Sequence, residues 1–111
     1  MASLIDELKN ILKEELNIYR ELIPISEAKT RIIVDNDLEA LAEITGREQV
    51  AVDKIHSLEH KREAVMKDIR TVINRRSGEF NLSTLIALMG TQPEEQKALS
   101  TLRDELNNAV Q

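Results

Sequence analysis
Cysteine and tryptophan are missing from this sequence, and tyrosine and phenylalanine occur once each, as Tyr19 and Phe80. Without cysteine there is no disulfide, no thiolate metal site and no cysteine nucleophile, which suits a reducing compartment. Two aromatic rings are too few to line a ligand pocket or to build a base-stacking platform. No apolar run approaches the roughly 20 residues that a membrane span needs. The first ten residues hold Asp6, Glu7 and Lys9 where a secretion signal would need an unbroken apolar stretch. The expected location is therefore the cytoplasm, without membrane insertion. Phosphate-binding glycine loops and serine nucleophile elbows are also lacking.

Three glycines and two prolines leave few helix breakers in 111 residues, and 32% of the chain is charged. Charges and aliphatics in such proportions favour long amphipathic helices, and the length is that of a single helical domain, 1–111. A net charge of −5 disfavours nucleic acid and anionic lipid as partners. The fold class expected is all-α: a long antiparallel helical hairpin, a coiled coil, with a short third helix and a C-terminal amphipathic helix.

Helical periodicity predicts the first helix over about 3–34, with Ser3 as its N-cap and Asp6 and Glu7 near the positive end of its dipole. Pro24 removes one amide donor and predicts a kink rather than an end, since the apolar pattern stays in phase through Ile25 and Ile32. Asp35-Asn36-Asp37 reads as a reversal, with Asn36 and Glu39 at capping-box spacing for the next helix. That helix is expected over about 38–76. It contains Gly46 at a cost of about 1 kcal/mol relative to alanine. It should end with Arg70, Arg75 and Arg76 in its last turns and Ser77-Gly78 as the stop. A third helix over about 82–89 is capped by Asn81 and stopped by Gly90. Thr91 and Glu94 then form a box, with Pro93 in the first turn, for a fourth helix over 93–110.

The two long helices carry heptads. One position of the first holds Leu4, Ile11, Ile18, Ile25 and Ile32, and the other holds Leu8, Glu15, Leu22 and Lys29. In the second helix, Ile44, Ala51, Leu58, Val65 and Val72 alternate with Leu41, Glu48, Ile55, Arg62 and Ile69. Such 3-4 spacing, sustained over four heptads, is the signature of a coiled coil. One antiparallel register places Leu8 opposite Val65, Ile18 opposite Ile55, Leu22 opposite Ala51 and Ile32 opposite Leu41. In that register the four charged seam residues fall into opposite-sign sets, Glu15 near Arg62 and Lys29 near Glu48. Polar seam residues of this kind commonly fix register at some cost in stability.

Chemistry-bearing clusters are few. His56 and His60 could meet a metal from one helical face, but they lack the His-Glu-x-x-His order and fall outside the seam. A solvated pair is expected, with no metal and no cofactor. Glu14-Glu15 and Glu94-Glu95 are neighbours pointing about 100° apart, so neither pair shares a catalytic site. The basic clusters Lys61-Arg62 and Arg75-Arg76 have no interleaved aromatics, so nucleic acid is not an expected partner. A helical mutase would need several inward cations, whereas only Lys29 and Arg62 lie on the seam, each beside an acid. The chain is not expected to be an enzyme. Leu99, Leu102, Leu106 and Val110 make one apolar stripe on the last helix, and they are the candidate partner-binding residues. That stripe could equally pack on the hairpin or against a second copy in a homodimer.

The order of parts resembles the FlgN-type flagellar export chaperones. The first helix, from Leu4-Ile5-Asp6-Glu7-Leu8 through Glu14-Glu15-Leu16-Asn17-Ile18-Tyr19-Arg20-Glu21-Leu22, is similar to that family's opening Leu/Glu-rich helix. Asn36-Asp37-Leu38-Glu39-Ala40-Leu41 with Ile44-Thr45 resembles its reversal, and Lys61-Arg62-Glu63 and Leu82-Ser83-Thr84-Leu85-Ile86 match further on. The resemblance implies a cytoplasmic chaperone that binds flagellar hook-associated proteins, those of the hook–filament junction, before type III export, and that delivers them to the export apparatus. It also implies a longer C-terminal helix with asparagine-containing leucine motifs, tied to client binding, which would begin near Asn107-Asn108-Ala109-Val110-Gln111. A coiled-coil adaptor without an export role is the alternative that the residues alone leave open.

Overall fold
The structure, a computed structural model, describes residues 2–73, 80–90 and 92–110. Four helices follow one another: α1 (Ala2–Asp35), α2 (Leu38–Val72), α3 (Leu82–Ala87) and α4 (Pro93–Val110). No strand occurs among the described residues, so the all-α hairpin with two shorter helices is the fold. The molecule measures 55 × 24 × 22 Å, and its radius of gyration of 17.6 Å exceeds the roughly 13 Å of a compact domain of this length. A rod set by two long helices explains the excess.

α1 runs unbroken through Pro24. Ser3 already lies inside the helix, which has begun at Ala2, so it does not serve as the expected cap. The reversal also differs in detail from the capping box expected on Asn36. Asn36 itself adopts a left-handed conformation, φ 55°, which its short polar side chain tolerates better than most. Asp37 is the N-cap of α2, its carboxylate accepting from the Ala40 amide at 3.0 Å. The physical reason is that only one residue at the turn can take extended backbone and present its side chain to the orphan amides. α2 ends at Val72 with Ile73 as its C-cap. Arg75, Arg76 and the Ser77-Gly78 stop lie outside the described residues, as does Thr91 of the expected Thr-x-x-Glu box. α3 is capped as expected, Asn81 accepting from the Thr84 amide at 2.9 Å, but it ends at Ala87, two residues early, with Leu88 as its C-cap. Its end is tied to α4 by Gln96, whose Nε2 donates to the Ile86 carbonyl at 2.8 Å.

The core is uneven along the rod. Its larger part joins Ile5, Leu8, Leu12 and Leu16 of α1 to Val65 and Ile69 of α2, Leu85 and Ile86 of α3, Met89, and Leu99, Leu102 and Leu106 of α4. A smaller cluster, Ile18 against Ala51, Ile55 and Leu58, continues up the hairpin, with Tyr19 and Ile11 bridging the two. Towards the turn only Ile44 is still buried. Two helices alone bury a narrow seam, whereas a third helix lets α1 bury two stripes about a quarter turn apart. Ile5, Leu12 and Leu16 form that second stripe. The heptad pattern of the hairpin does not include them.

Candidate partner-binding surface
The charged seam residues meet in pairs. Arg62 donates from its guanidinium to Glu15 Oε2 at 2.9 Å, and Lys29 donates from Nζ to Glu48 Oε1 at 3.0 Å. In both, the α1 number rises as the α2 number falls, as an antiparallel hairpin demands. The two pairs differ in solvation. Lys29 and Glu48 keep about a third of their side chains in water. Glu15 is 2% exposed, and its Oε1 has no hydrogen-bond partner. Burial pushes the Glu15 carboxyl above its usual range, Arg62 offsets this in part, and nearby Glu59 adds to it. The phenol of Tyr19, half-buried beside the same carboxylates, is raised for the same reasons, burial first.

Of the four α4 residues expected to meet a partner, Leu99, Leu102 and Leu106 are core, none more than 8% exposed. They fill the second stripe of α1. Val110 alone lies at the surface, 61% exposed. Two ion pairs set the direction of α4 along α1. Lys9 meets Glu95 at 3.0 Å and Arg20 meets Glu105 at 3.1 Å, so the two helices run parallel. The Lys9 ammonium is held above its usual range chiefly by its bond to Glu95. Carried on, the same offset sets Val110 level with Pro24 and Ile25, and the hairpin beyond has no third helix among the described residues.

Several large apolar side chains of the two long helices are exposed near and past the level of Val110. Ile23, Ile33, Val34 and Leu38 are 49%, 57%, 79% and 72% exposed, and Val50 is 55% exposed. Heptad analysis puts none of these on the seam and so offers no role for them. An open cleft of about 570 Å³ lies on the other flank of α4, lined by Met66 and Phe80 with Arg62, Lys67, Arg70 and Arg103 around them. His56 and His60 are exposed, and no three potential metal ligands cluster among the described residues.

A two-helix rod, braced over about half its length by α4 and carrying exposed apolar side chains over the rest, belongs to the class of all-α helical-hairpin proteins. Within it, a family model described as FlgN protein matches residues 1–111, and the chain belongs to the FlgN family, a family of flagellar export chaperones. No curated protein and no solved structure matches the chain. No helix among the described residues is long and apolar enough to cross a membrane.

Proposed function
We infer that this protein is a cytoplasmic chaperone of flagellar hook-associated proteins, holding those of the hook–filament junction before they pass to the type III export apparatus. The observation that carries this reading is the family match over the whole chain. The physical logic is that an open helical face can stand in for the missing partner of a client helix whose apolar side is uncovered before assembly. Of the four α4 residues first considered, Val110 is the one a client reaches without prising α4 from α1, while Leu99, Leu102 and Leu106 hold the bundle together. Whether the chain also self-associates as a homodimer is read by light scattering on the same samples.

The test is co-purification of the chain with each hook-associated protein, followed by titration calorimetry. A complex with a dissociation constant of about 1 μM or tighter, roughly −8 kcal/mol, is the expected result. Absence of any complex at tens of micromolar overturns the reading in favour of a coiled-coil adaptor.

A further inference from the structure
α2 and α4 each pack on α1, and α3 packs on α4. Between α2 and α4 lies the open cleft of about 570 Å³, and every residue of its lining is among the described ones. Its walls are helix interiors, Arg62 to Arg70 on α2 and Arg103 and Asn107 on α4, with Phe80 and Leu82 at the start of α3. The opening is therefore set by the spacing of two helices along their length and not by where either one stops. Met66, Phe80 and Leu82 are half-buried, packing on the core while still lining the cleft. Around them stand four cations, Arg62, Lys67, Arg70 and Arg103, against one acid, Glu63. That local sign opposes the net charge of −5 carried by the whole chain. Arg62 is oriented by Glu15, and Arg103 by Asp104, Ser100 and Ser83. The Lys67 ammonium is exposed and has no ion-pair partner among the described residues.

We propose that this cleft is a docking site for an acidic segment of a partner protein. One large apolar side chain of that segment sits on Met66, Phe80 and Leu82, with carboxylates on either side of it. Charge complementarity selects the occupant, because an apolar floor ringed by cations suits an aliphatic or aromatic side chain between acids. Lys67 offers an incoming carboxylate an unclaimed cation. Arg62 and Arg103 are already held in place, so their remaining donors are recruited at little further ordering cost. Nucleic acid fits the lining less well, since a single ring gives no stacking platform and Glu63 would face the phosphates. The site stands on the cleft alone and does not depend on which protein the chain escorts.

The experiment pans a display library of random short peptides against the full chain and measures the enriched peptides by fluorescence anisotropy, with thermal melts of every variant. Enriched peptides are expected to place Asp or Glu around a Phe, Leu or Met, and to bind with a dissociation constant of about 10 μM. Lys67→Glu on α2 and Asn107→Asp on α4 should each weaken them at least about fivefold, with melts unchanged because both positions are exposed. Lys54→Glu, the same charge change at an exposed position elsewhere on α2, should leave the affinity within about twofold. Failure to enrich any peptide, or enrichment of peptides without acids, overturns the proposal. So does binding that Lys67→Glu or Asn107→Asp leaves intact, since both walls of the cleft must matter. An equal loss with Lys54→Glu reduces the effect to net charge and overturns the site. Displacement of the peptide by an equal concentration of a single-stranded oligonucleotide gives the cleft to nucleic acid, and a dimer that Lys67→Glu makes monomeric gives it to a second copy. Either result overturns the acidic-segment site.

Discussion
Glu15 is fully enclosed between α1 and α2, yet only one of its oxygens is bonded, to Arg62. A buried pair of this kind is costly to break from one side, because the survivor is left charged and desolvated. Arg62→Glu should therefore destabilise the chain by about 3 kcal/mol, reduced somewhat because Arg62 is partly solvated. Adding Glu15→Arg should restore part of the loss. Urea unfolding of the four-member cycle checks this, and a coupling below about 0.5 kcal/mol would rule the pair out as a determinant of register. The same carboxyl sets a pH dependence. Its folded-state pKa is raised above 4.5, so the folded chain holds the proton more tightly than the unfolded one. Its contribution is then fully present below that value and is lost as pH rises through the raised one. Glu15→Gln should flatten this decline as pH rises above about 4.5, as read by unfolding at stepped pH. At the turn, Asn36 sits at φ 55°, where glycine is unstrained, and Asn36→Gly should be neutral or stabilising by up to about 1 kcal/mol.

At the scale of elements, α2 holds a glycine in mid-helix that no close contact requires. A Cβ at Gly46 meets no atom within 4 Å, and the residue is exposed, so Gly46→Ala should stabilise by about 1 kcal/mol in thermal or urea unfolding. α4 sorts its own stripe by burial. Leu99→Ala removes a side chain with no exposure and should cost about 3 kcal/mol, whereas Val110→Ala should cost less than about 0.5. Equal costs at the two sites would mean that α4 does not pack as described. Heptads made the seam legible because each is a local repeat with one meaning. The same helix also holds Ile5, Leu12 and Leu16, and their purpose could not be assigned before α4 was placed. A sharper signal was the pair of cations Lys9 and Arg20, which meet Glu95 and Glu105 of α4 and which a seven-residue template passes over.

For the whole molecule, the decisive feature is that α4 braces one half of a rod 55 Å long. The braced half has a continuous core of α1, α2, α3 and α4 side chains. The half nearest the turn relies on the seam and on the Lys29–Glu48 pair. Hydrogen exchange should show this contrast, with amides around Leu12 and Ile69 protected well beyond those between Ile33 and Leu41. Uniform protection along both long helices would contradict the uneven core.

By itself the sequence determined the four helices, their order, the antiparallel pairing of the first two and the family. The helices and their pairing follow from repeats, caps or breakers read over a few neighbouring residues, and the family from a likeness that runs along the whole chain. Tertiary structure decided which apolar stripe became core. Leu99, Leu102 and Leu106 have the pattern of an open face and are buried, while Val34 and Leu38 are exposed. Amphipathicity says that a face must be covered, and only the placement of the neighbouring helices says by what and how far.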